Sequence, residues 1–164
     1  MFETIVVPLD GSALAEAALP IASELKERFG SKLLLLRVID SEAHLLAQAP
    51  GIFESPGSAA ASVNLVEEIV AAERKEATAY LQGIKQRLGG GESVETVLVE
   101  GSAGSAIVAQ AQEAGADLIV MSSHGRTGLS RLVLGSVTDA VLKNSHIPVL
   151  LVRNPREHLK ADAG

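Results

Sequence analysis

The sequence predicts an α/β protein built on an open, doubly wound sheet of five parallel strands with four helices. Five short runs are rich in Val, Ile and Leu, and four of them lack polar alternation, which is typical of strands buried on both faces. Segments with helical spacing separate these runs. Hydrophobic residues make up 47% of the 164 residues but aromatic residues only 2%, so aliphatic side chains must form the core.

The strands are predicted at 4–9, 32–39, 94–99, 117–121 and 147–152. The helices are predicted at 13–29, 63–88, 105–114 and from Ser136 onward. Pro20 falls inside the first helical pattern, where a ring without an N–H is expected to kink or locally distort the helix. The third strand alternates in part, so we expect it to be less buried than the others.

Residues 1–153 are predicted to form a single domain, followed by a polar tail at 154–164. Residues 41–62 contain Pro, Gly and an Ala/Ser tract with little periodicity. We expect a variable, mobile loop there, with a helical turn around 43–48. Loops of this length in a compact domain are usually lids, binding segments or disordered connections.

Charge and composition exclude several classes of protein. The net charge of −6 argues against a general nucleic-acid surface, which would carry a basic excess. The chain has no cysteine, which excludes disulfide scaffolds and cysteine-based zinc sites. The first residues do not form a secretory signal, and no apolar run reaches the roughly 20 residues that cross a bilayer. We therefore expect a cytoplasmic protein that binds neither nucleic acid nor membranes.

Small and polar residues follow the fourth strand, in the loop that begins after Met121. Gly125 and Gly128 allow the backbone to approach a ligand closely, and successive N–H groups in such a turn can bind an anion. Arg126 and Arg131 add positive charge. In a parallel sheet this order of strand, turn and helix start is how backbone N–H groups are presented to a phosphate.

The helix after this loop is predicted to begin at Ser136, with Asp139 completing a capping box. Its free N–H groups and positive dipole end would then lie near Ser136 and Val137. The alternative is that the glycines are only turn residues and Ser136 only a helix cap. Asp10, after the first strand, can likewise be read as a turn residue alone.

Signatures of other sites are missing or weak. The sequence contains neither GxxxxGK[ST] nor GxGxxG, which weighs against P-loop NTPases and dinucleotide dehydrogenases. His124 invites a role as general base, but no carboxylate or nucleophile is paired with it in the sequence. The other histidines lack metal-ligand spacing, and no GxSxG elbow is present. No catalytic residue is therefore predicted.

Four segments together resemble the universal stress protein family. They are IVVPLDGS at 5–12, GADLIVM at 115–121, MSSHGRTGLSRLVLGSVT at 121–138 and HIPVLLV at 146–152. The resemblance implies a Rossmann-like fold of the adenine nucleotide alpha hydrolase type. For such a sheet we expect the strand order 3-2-1-4-5.

ATP-binding members of the family share the pattern Gly-x2-Gly-x9-Gly-Ser/Thr. Gly125, Gly135 and Ser136 match its later elements, and Ser122 stands at the first. The resemblance implies that this chain binds ATP together with Mg²⁺, whose few protein ligands would not show in a sequence. The implied nucleotide-binding residues are Pro8, Leu9, Asp10, Val38, Met121, Ser122, Gly125, Arg126, Gly135, Ser136 and Val137.

The resemblance also implies roles for these residues. Asp10 would contact the sugar or the accompanying metal, and Val38 would bind adenine through its backbone. Pro8 and Leu9 would lie beside adenine and ribose. The residues of the 121–137 segment would line the ribose and phosphates.

We expect a nucleotide-dependent sensor or regulator of the stress response, with at most slow ATP hydrolysis. One alternative is a family member that binds no nucleotide and acts as a dimerisation or interaction module. Another is an enzyme of the adenylate-forming or pyrophosphatase type, but no site for a second substrate can be identified in the sequence. The strand at 147–152 is predicted to lie at a sheet edge and to form a homodimer by pairing with its copy.

Overall fold

The computed structural model of the chain describes residues 2–48, 56–123 and 134–153. Its centre is a five-stranded parallel sheet in the order β3-β2-β1-β4-β5, as predicted. The strands are β1 (Thr4–Pro8), β2 (Lys32–Ile39), β3 (Val94–Glu100), β4 (Leu118–Ser122) and β5 (Val149–Val152). β3 and β5 form the two edges and are less buried than the three central strands.

The described residues contain five α-helices and a 3-10 helix, where four helices were predicted. The α-helices are α1 (Leu19–Phe29), α2 (Glu42–Gln48), α3 (Pro56–Arg87), α4 (Ala103–Glu113) and α5 (Ser136–Asn144). The 3-10 helix (Ala15–Ala18) lies between β1 and α1. The additional helices come from two places where the sequence pattern was interpreted too simply.

The first of these is the segment around Pro20. The predicted continuous helix at 13–29 is a 3-10 helix followed by α1, and Pro20 lies in the first turn of α1. The missing N–H of proline has no intrahelical acceptor at that position in any case, so the ring costs no hydrogen bond there. Pro20 therefore marks the start of α1, and the local distortion expected there takes the form of this change from a 3-10 helix to an α-helix.

The second is the predicted loop at 41–62. The helical turn expected around 43–48 is the complete helix α2, and the helix predicted from residue 63 already begins at Pro56. Residues 49–55 lie outside the described part of the chain. Small residues such as Ala and Ser give little hydrophobic periodicity, and for that reason the start of α3 was not visible in the sequence.

Aliphatic side chains pack on both faces of the sheet, as a doubly wound fold requires. On one face, alternate residues of β1, β2 and β4 pack against α1, α3 and the 3-10 helix. On the other face, the intervening residues pack against α4 and α5. The sheet is thus covered by helices on both sides, and its carboxyl edge remains available for a ligand.

Asp117, immediately before β4, joins the amino ends of β1 and β4. Its Oδ2 accepts hydrogen bonds from the backbone N–H of Glu3 at 2.7 Å and of Thr4 at 3.0 Å. These bonds, first that from Thr4 and then that from Glu3, lower the pKa of the Asp117 carboxyl below its ordinary value.

Asp117→Asn is expected to destabilise the fold in a pH-dependent manner. Because the pKa is lower in the folded state, the carboxylate contributes stability above its unfolded pKa of about 3.9 and loses it as the pH falls through the folded value. Urea unfolding should therefore show a difference in the free energy of unfolding between wild type and Asp117→Asn that is largest at pH 7 and decreases in acid. A difference that is the same at pH 7 and pH 2.5 would contradict this role.

Candidate functional site

A cavity of about 290 Å³ opens at the carboxyl edge of the sheet. It lies over the ends of β1, β2 and β4 and beside the first turn of α5. The chain runs from β1 outward to β2 and β3 on one side of the sheet and then continues with β4 and β5 on the other side of β1. The strand order therefore reverses between β1 and β4. In open parallel sheets ligands bind at such a reversal, outside the carboxyl ends of the strands.

The turn after β1 forms one wall of the cavity. Asp10 lines the cavity and its Oδ1 accepts hydrogen bonds from the backbone N–H of Ser12 at 2.9 Å and from the Ser12 hydroxyl at 2.5 Å. The Ser12 Oγ in turn accepts a bond from the N–H of Ala15 at 3.1 Å. Gly11, between them, has φ +85°, a conformation that other residues rarely adopt. These contacts fix the Asp10 side chain relative to β1.

The end of β2 and the adjoining face of α3 form a second, acidic wall. Val38, Asp40 and Glu73 line the cavity here. Glu100, at the end of β3, pairs with Arg74, the residue that follows Glu73 on α3. Carboxylates at this end of the cavity repel phosphate groups and accept hydrogen bonds from hydroxyl or amino groups of a ligand.

The end of β4 forms another part of the cavity lining. Met121 and Ser122 are 5% and 6% exposed, and both line the cavity. Thr138 on α5 is also buried, and its hydroxyl lies 3.4 Å from the backbone oxygens of Ser122 and Ser123. This contact joins the first turn of α5 to the end of β4.

The first turn of α5 points its N-terminus at the cavity. Gly135 is the N-cap residue, Ser136 is the first helical residue, and the cap has no side-chain hydrogen bond. The predicted capping box from Ser136 to Asp139 is therefore wrong, since Asp139 instead pairs with Lys143 at 2.7 Å. The first N–H groups of a helix lack intrahelical acceptors, and here they adjoin a cavity lined by Gly135, Ser136 and Val137.

A close contact between α4 and α5 sets the position of that helix end. A Cβ added at Gly104 would lie 2.6 Å from the Cβ of Ala140, far closer than real carbon atoms approach. The two helices can pack at this distance only because Gly104 has no side chain. The small residues at 101–104 have the composition of a turn, but the structure places Gly104 in the first turn of α4.

The structure brings together the predicted site residues that it describes. Gly125 and Arg126, together with His124 and Gly128, lie outside the described residues. The others line the one cavity: Pro8, Leu9, Asp10, Val38, Met121, Ser122, Gly135, Ser136 and Val137.

Other cavity residues were not predicted as part of the site. Glu73 belongs to a charged stretch of α3 that a sequence pattern assigns to solvent, although it lines the cavity. Leu65 and Ile69 have the helical spacing of an apolar stripe on α3 but are 58% and 47% exposed. The buried stripe runs through Val66 and Val70, about 100° away around the helix, which turns Glu73 toward the sheet edge.

The fold and cavity define an open parallel α/β protein with a helix N-terminus beside the cavity at the carboxyl edge of its sheet. The family model that matches the chain is the universal stress protein family, over residues 1–153. The chain belongs to the universal stress protein family. It is 32% identical to universal stress protein MJ0531 of Methanocaldococcus jannaschii over 157 residues, which cover 96% of this chain and 85% of the relative.

A second relative from the same organism, universal stress protein MJ0577, is 34% identical over 155 residues, 93% of this chain and 96% of the relative. The solved structure of MJ0577 superimposes with a TM-score of 0.74 at 30% identity, covering 94% of this chain and 97% of that one. A universal stress protein solved in complex with cAMP has a TM-score of 0.62 at 25% identity, covering 93% and 97% of the two chains.

None of the described helices combines the length and apolar character that crossing a bilayer requires.

Proposed function

We propose that this chain binds ATP in the cavity at the carboxyl edge of the sheet and acts as a nucleotide-dependent regulator. The observation that carries the proposal is the convergence of strand ends and the α5 N-terminus on one cavity of about 290 Å³. This volume is close to the lower end of the roughly 300–1,000 Å³ typical of small-molecule sites. The cAMP complex of a related protein supports an adenine nucleotide as the ligand class.

The charge distribution supports one orientation of the nucleotide. The α5 N-terminus at Gly135, Ser136 and Val137 attracts phosphate. The acidic wall with Asp10 and Asp40 suits ribose hydroxyls and the adenine amino group instead. We therefore place the phosphates beside α5, and the ribose and adenine between the ends of β1 and β2. Gly125 and Arg126 remain predicted phosphate contacts.

Magnesium would accompany the triphosphate. The described residues contain no group of three or more His, Cys, Asp or Glu side chains placed to hold a metal. A Mg²⁺ ion bound mainly by phosphate oxygens and water, with at most one carboxylate such as Asp10, is consistent with this arrangement.

We propose a regulatory role in preference to fast catalysis. The carboxylates among the described lining residues are those of Asp10, Asp40 and Glu73, and none of the described lining residues is a histidine or lysine. His44 lies 3.7 Å from the Asp40 carboxylate, but both side chains are about half exposed to solvent. Hydrolysis of bound ATP, if measured, should be far slower than the ~1–1,000 turnovers per second of typical enzymes. The expected cytoplasmic location stays a prediction.

The identity of the ligand can be tested on protein as purified. Heat denaturation in the presence of Mg²⁺, followed by chromatography of the supernatant, should release an adenine nucleotide. Release of a guanine nucleotide, or of a non-nucleotide ligand in its place, would contradict the proposal.

We further propose a homodimer formed through β5. This strand is at the sheet edge, and Leu150 within it is 38% exposed. Pairing of two such edges about a two-fold axis would satisfy their backbone groups and cover the apolar side chains.

Leu150→Lys is expected to convert the dimer to a monomer, since a two-fold axis through the edge brings two like charges together. Light scattering at micromolar concentration should give a dimer mass for wild type and a monomer mass for the variant. Ile21→Lys is the matched control, because Ile21 is 39% exposed on α1, which packs against β1 and β2, and should leave the dimer intact. A monomeric wild type would refute the proposed dimer.

A further inference from the structure

An arginine is buried directly behind the turn that carries Asp10. Arg37 lies in the apolar strand β2 and is only 2% exposed. Arg37 precedes Val38 in the strand, so their side chains point to opposite faces of the sheet. Val38 lines the cavity, whereas the Arg37 side chain packs on the α3 face. Arg37 itself is not among the residues that line the cavity.

The guanidinium of Arg37 contacts Gly11 on one side and Tyr80 on the other. A Cβ placed on Gly11 would lie 3.0 Å from Nη1 and 3.4 Å from Cζ, so the backbone of the turn rests closely on the guanidinium. Cζ lies 5.4 Å from the centre of the Tyr80 ring, within the range of a cation–π interaction. The turn, the guanidinium and the ring of α3 therefore form a continuous packed contact.

A buried cation requires a nearby negative charge. Two carboxylates belong to this neighbourhood, those of Asp10 and Glu16. Burial, and next the Glu16 carboxylate, raise the pKa of the Tyr80 hydroxyl, and Asp10 raises it further while Arg37 lowers it. Glu16, Asp10 and Arg37 thus all lie close enough to act on the Tyr80 hydroxyl.

Glu16 has other cationic and hydrogen-bonding partners. Its Oε1 accepts a hydrogen bond from the Tyr80 hydroxyl at 3.1 Å, and its Oε2 pairs with Arg87 at 3.0 Å. Asp10 is covalently next to Gly11, the residue on which the guanidinium rests. The guanidinium therefore lies against the turn that carries the Asp10 carboxylate.

We propose that Arg37 is a positioning residue for the candidate nucleotide site. It supports the Asp10–Gly11–Ser12 turn from the α3 side and complements the Asp10 carboxylate, which faces the cavity. Arg37 thereby controls ligand binding without touching the ligand. The effect on ligand binding rests on the proposed function, whereas the support of the turn does not.

The support of the turn can be tested on nucleotide-free protein by amide hydrogen exchange. In Arg37→Met the N–H groups of Ser12 and Ala15, which are bonded within the turn, should exchange about tenfold faster than in wild type. Arg87→Met is the matched control, since Arg87 is an exposed arginine that pairs with Glu16 at the surface, and it should leave both rates unchanged. Unchanged rates for Ser12 and Ala15 in folded Arg37→Met would overturn the proposal.

The link to Asp10 can be tested by a double-mutant cycle on ATP affinity. Arg37→Met should weaken ATP binding about tenfold in the wild-type background and cause little further loss in an Asp10→Asn background. An equal tenfold loss in both backgrounds would contradict action through Asp10. If wild type binds no ATP, the proposed function fails, and the exchange experiment still decides the role of Arg37.

Arg37→Lys keeps the test decisive if Arg37→Met does not fold. Lysine keeps the charge but lacks the planar group that contacts Gly11 and Tyr80. We expect ATP affinity within about threefold of wild type, together with faster exchange of the Ser12 N–H. Loss of affinity as complete as in Asp10→Asn would contradict the proposed role of the charge.

Discussion

Gly104→Val is expected to lower the free energy of unfolding by about 3 kcal/mol, since an overpacked contact between helices cannot relax without moving one of them. Even the first added carbon would lie 2.6 Å from the Cβ of Ala140. For a chain of this size the loss corresponds to a fall in Tm of roughly 6–12 °C. Thermal and urea unfolding measure both quantities.

The same substitution should weaken nucleotide binding, because α5 must move away from α4 and its first turn lines the cavity. Gly83→Val is the matched control: Gly83 also lies inside a helix, α3, and no atom comes within 4 Å of an added Cβ. Gly83→Val should leave stability within about 0.5 kcal/mol of wild type. Equal stabilities for the two variants would show that the α4–α5 contact is not tight.

Gly135→Val is expected to reduce ATP affinity at least about 100-fold, equivalent to about 2.7 kcal/mol, while leaving the fold intact. Gly135 has φ −56° and ψ 147°, a conformation open to every residue, and the nearest atoms to an added Cβ lie at 3.8 and 3.9 Å. The branched side chain would instead occupy space beside the α5 N-terminus, where we place the phosphates.

Equilibrium dialysis of labelled ATP measures the affinity, and urea unfolding checks that stability stays within about 1 kcal/mol of wild type. Retained affinity in a stable Gly135→Val protein would place the phosphates elsewhere.

The sheet could be predicted from the sequence because each central strand is buried on both faces. Runs such as residues 4–9 and 117–121 have no polar alternation, and only a parallel sheet covered on both sides accommodates such strands. Once the strands are parallel, their carboxyl ends share one edge. The convergence of Asp10, Val38 and Ser122 on one cavity follows from that geometry.

The features that could not be predicted depend on contacts between distant elements. Arg37 looks like a polar interruption in an apolar strand, and only the positions of Gly11 and Tyr80 explain how it is buried. Gly104 looks like a turn residue because glycine marks turns more often than helix contacts. In both cases the partner is far away in sequence, so local patterns carry no sign of it.

The start of α5 shows a different limit. Ser136 followed by Asp139 has the spacing of a capping box, yet the helix begins one residue earlier than that motif requires, with Gly135 as its cap. A side-chain cap would occupy N–H groups at the helix start, and the observed start leaves them directed at the cavity wall. A departure from a local rule at this point is consistent with a binding site.

The central claim is that the cavity at the carboxyl edge binds an adenine nucleotide through phosphates at α5. Equilibrium dialysis of wild type with labelled ATP and Mg²⁺, competed separately with unlabelled ATP, AMP, cAMP and GTP, tests it most directly. We expect one saturable site per chain, from which unlabelled ATP displaces the labelled ATP and GTP at equal concentration does not. Absence of saturable binding at millimolar ATP, or equal displacement by GTP, would contradict it.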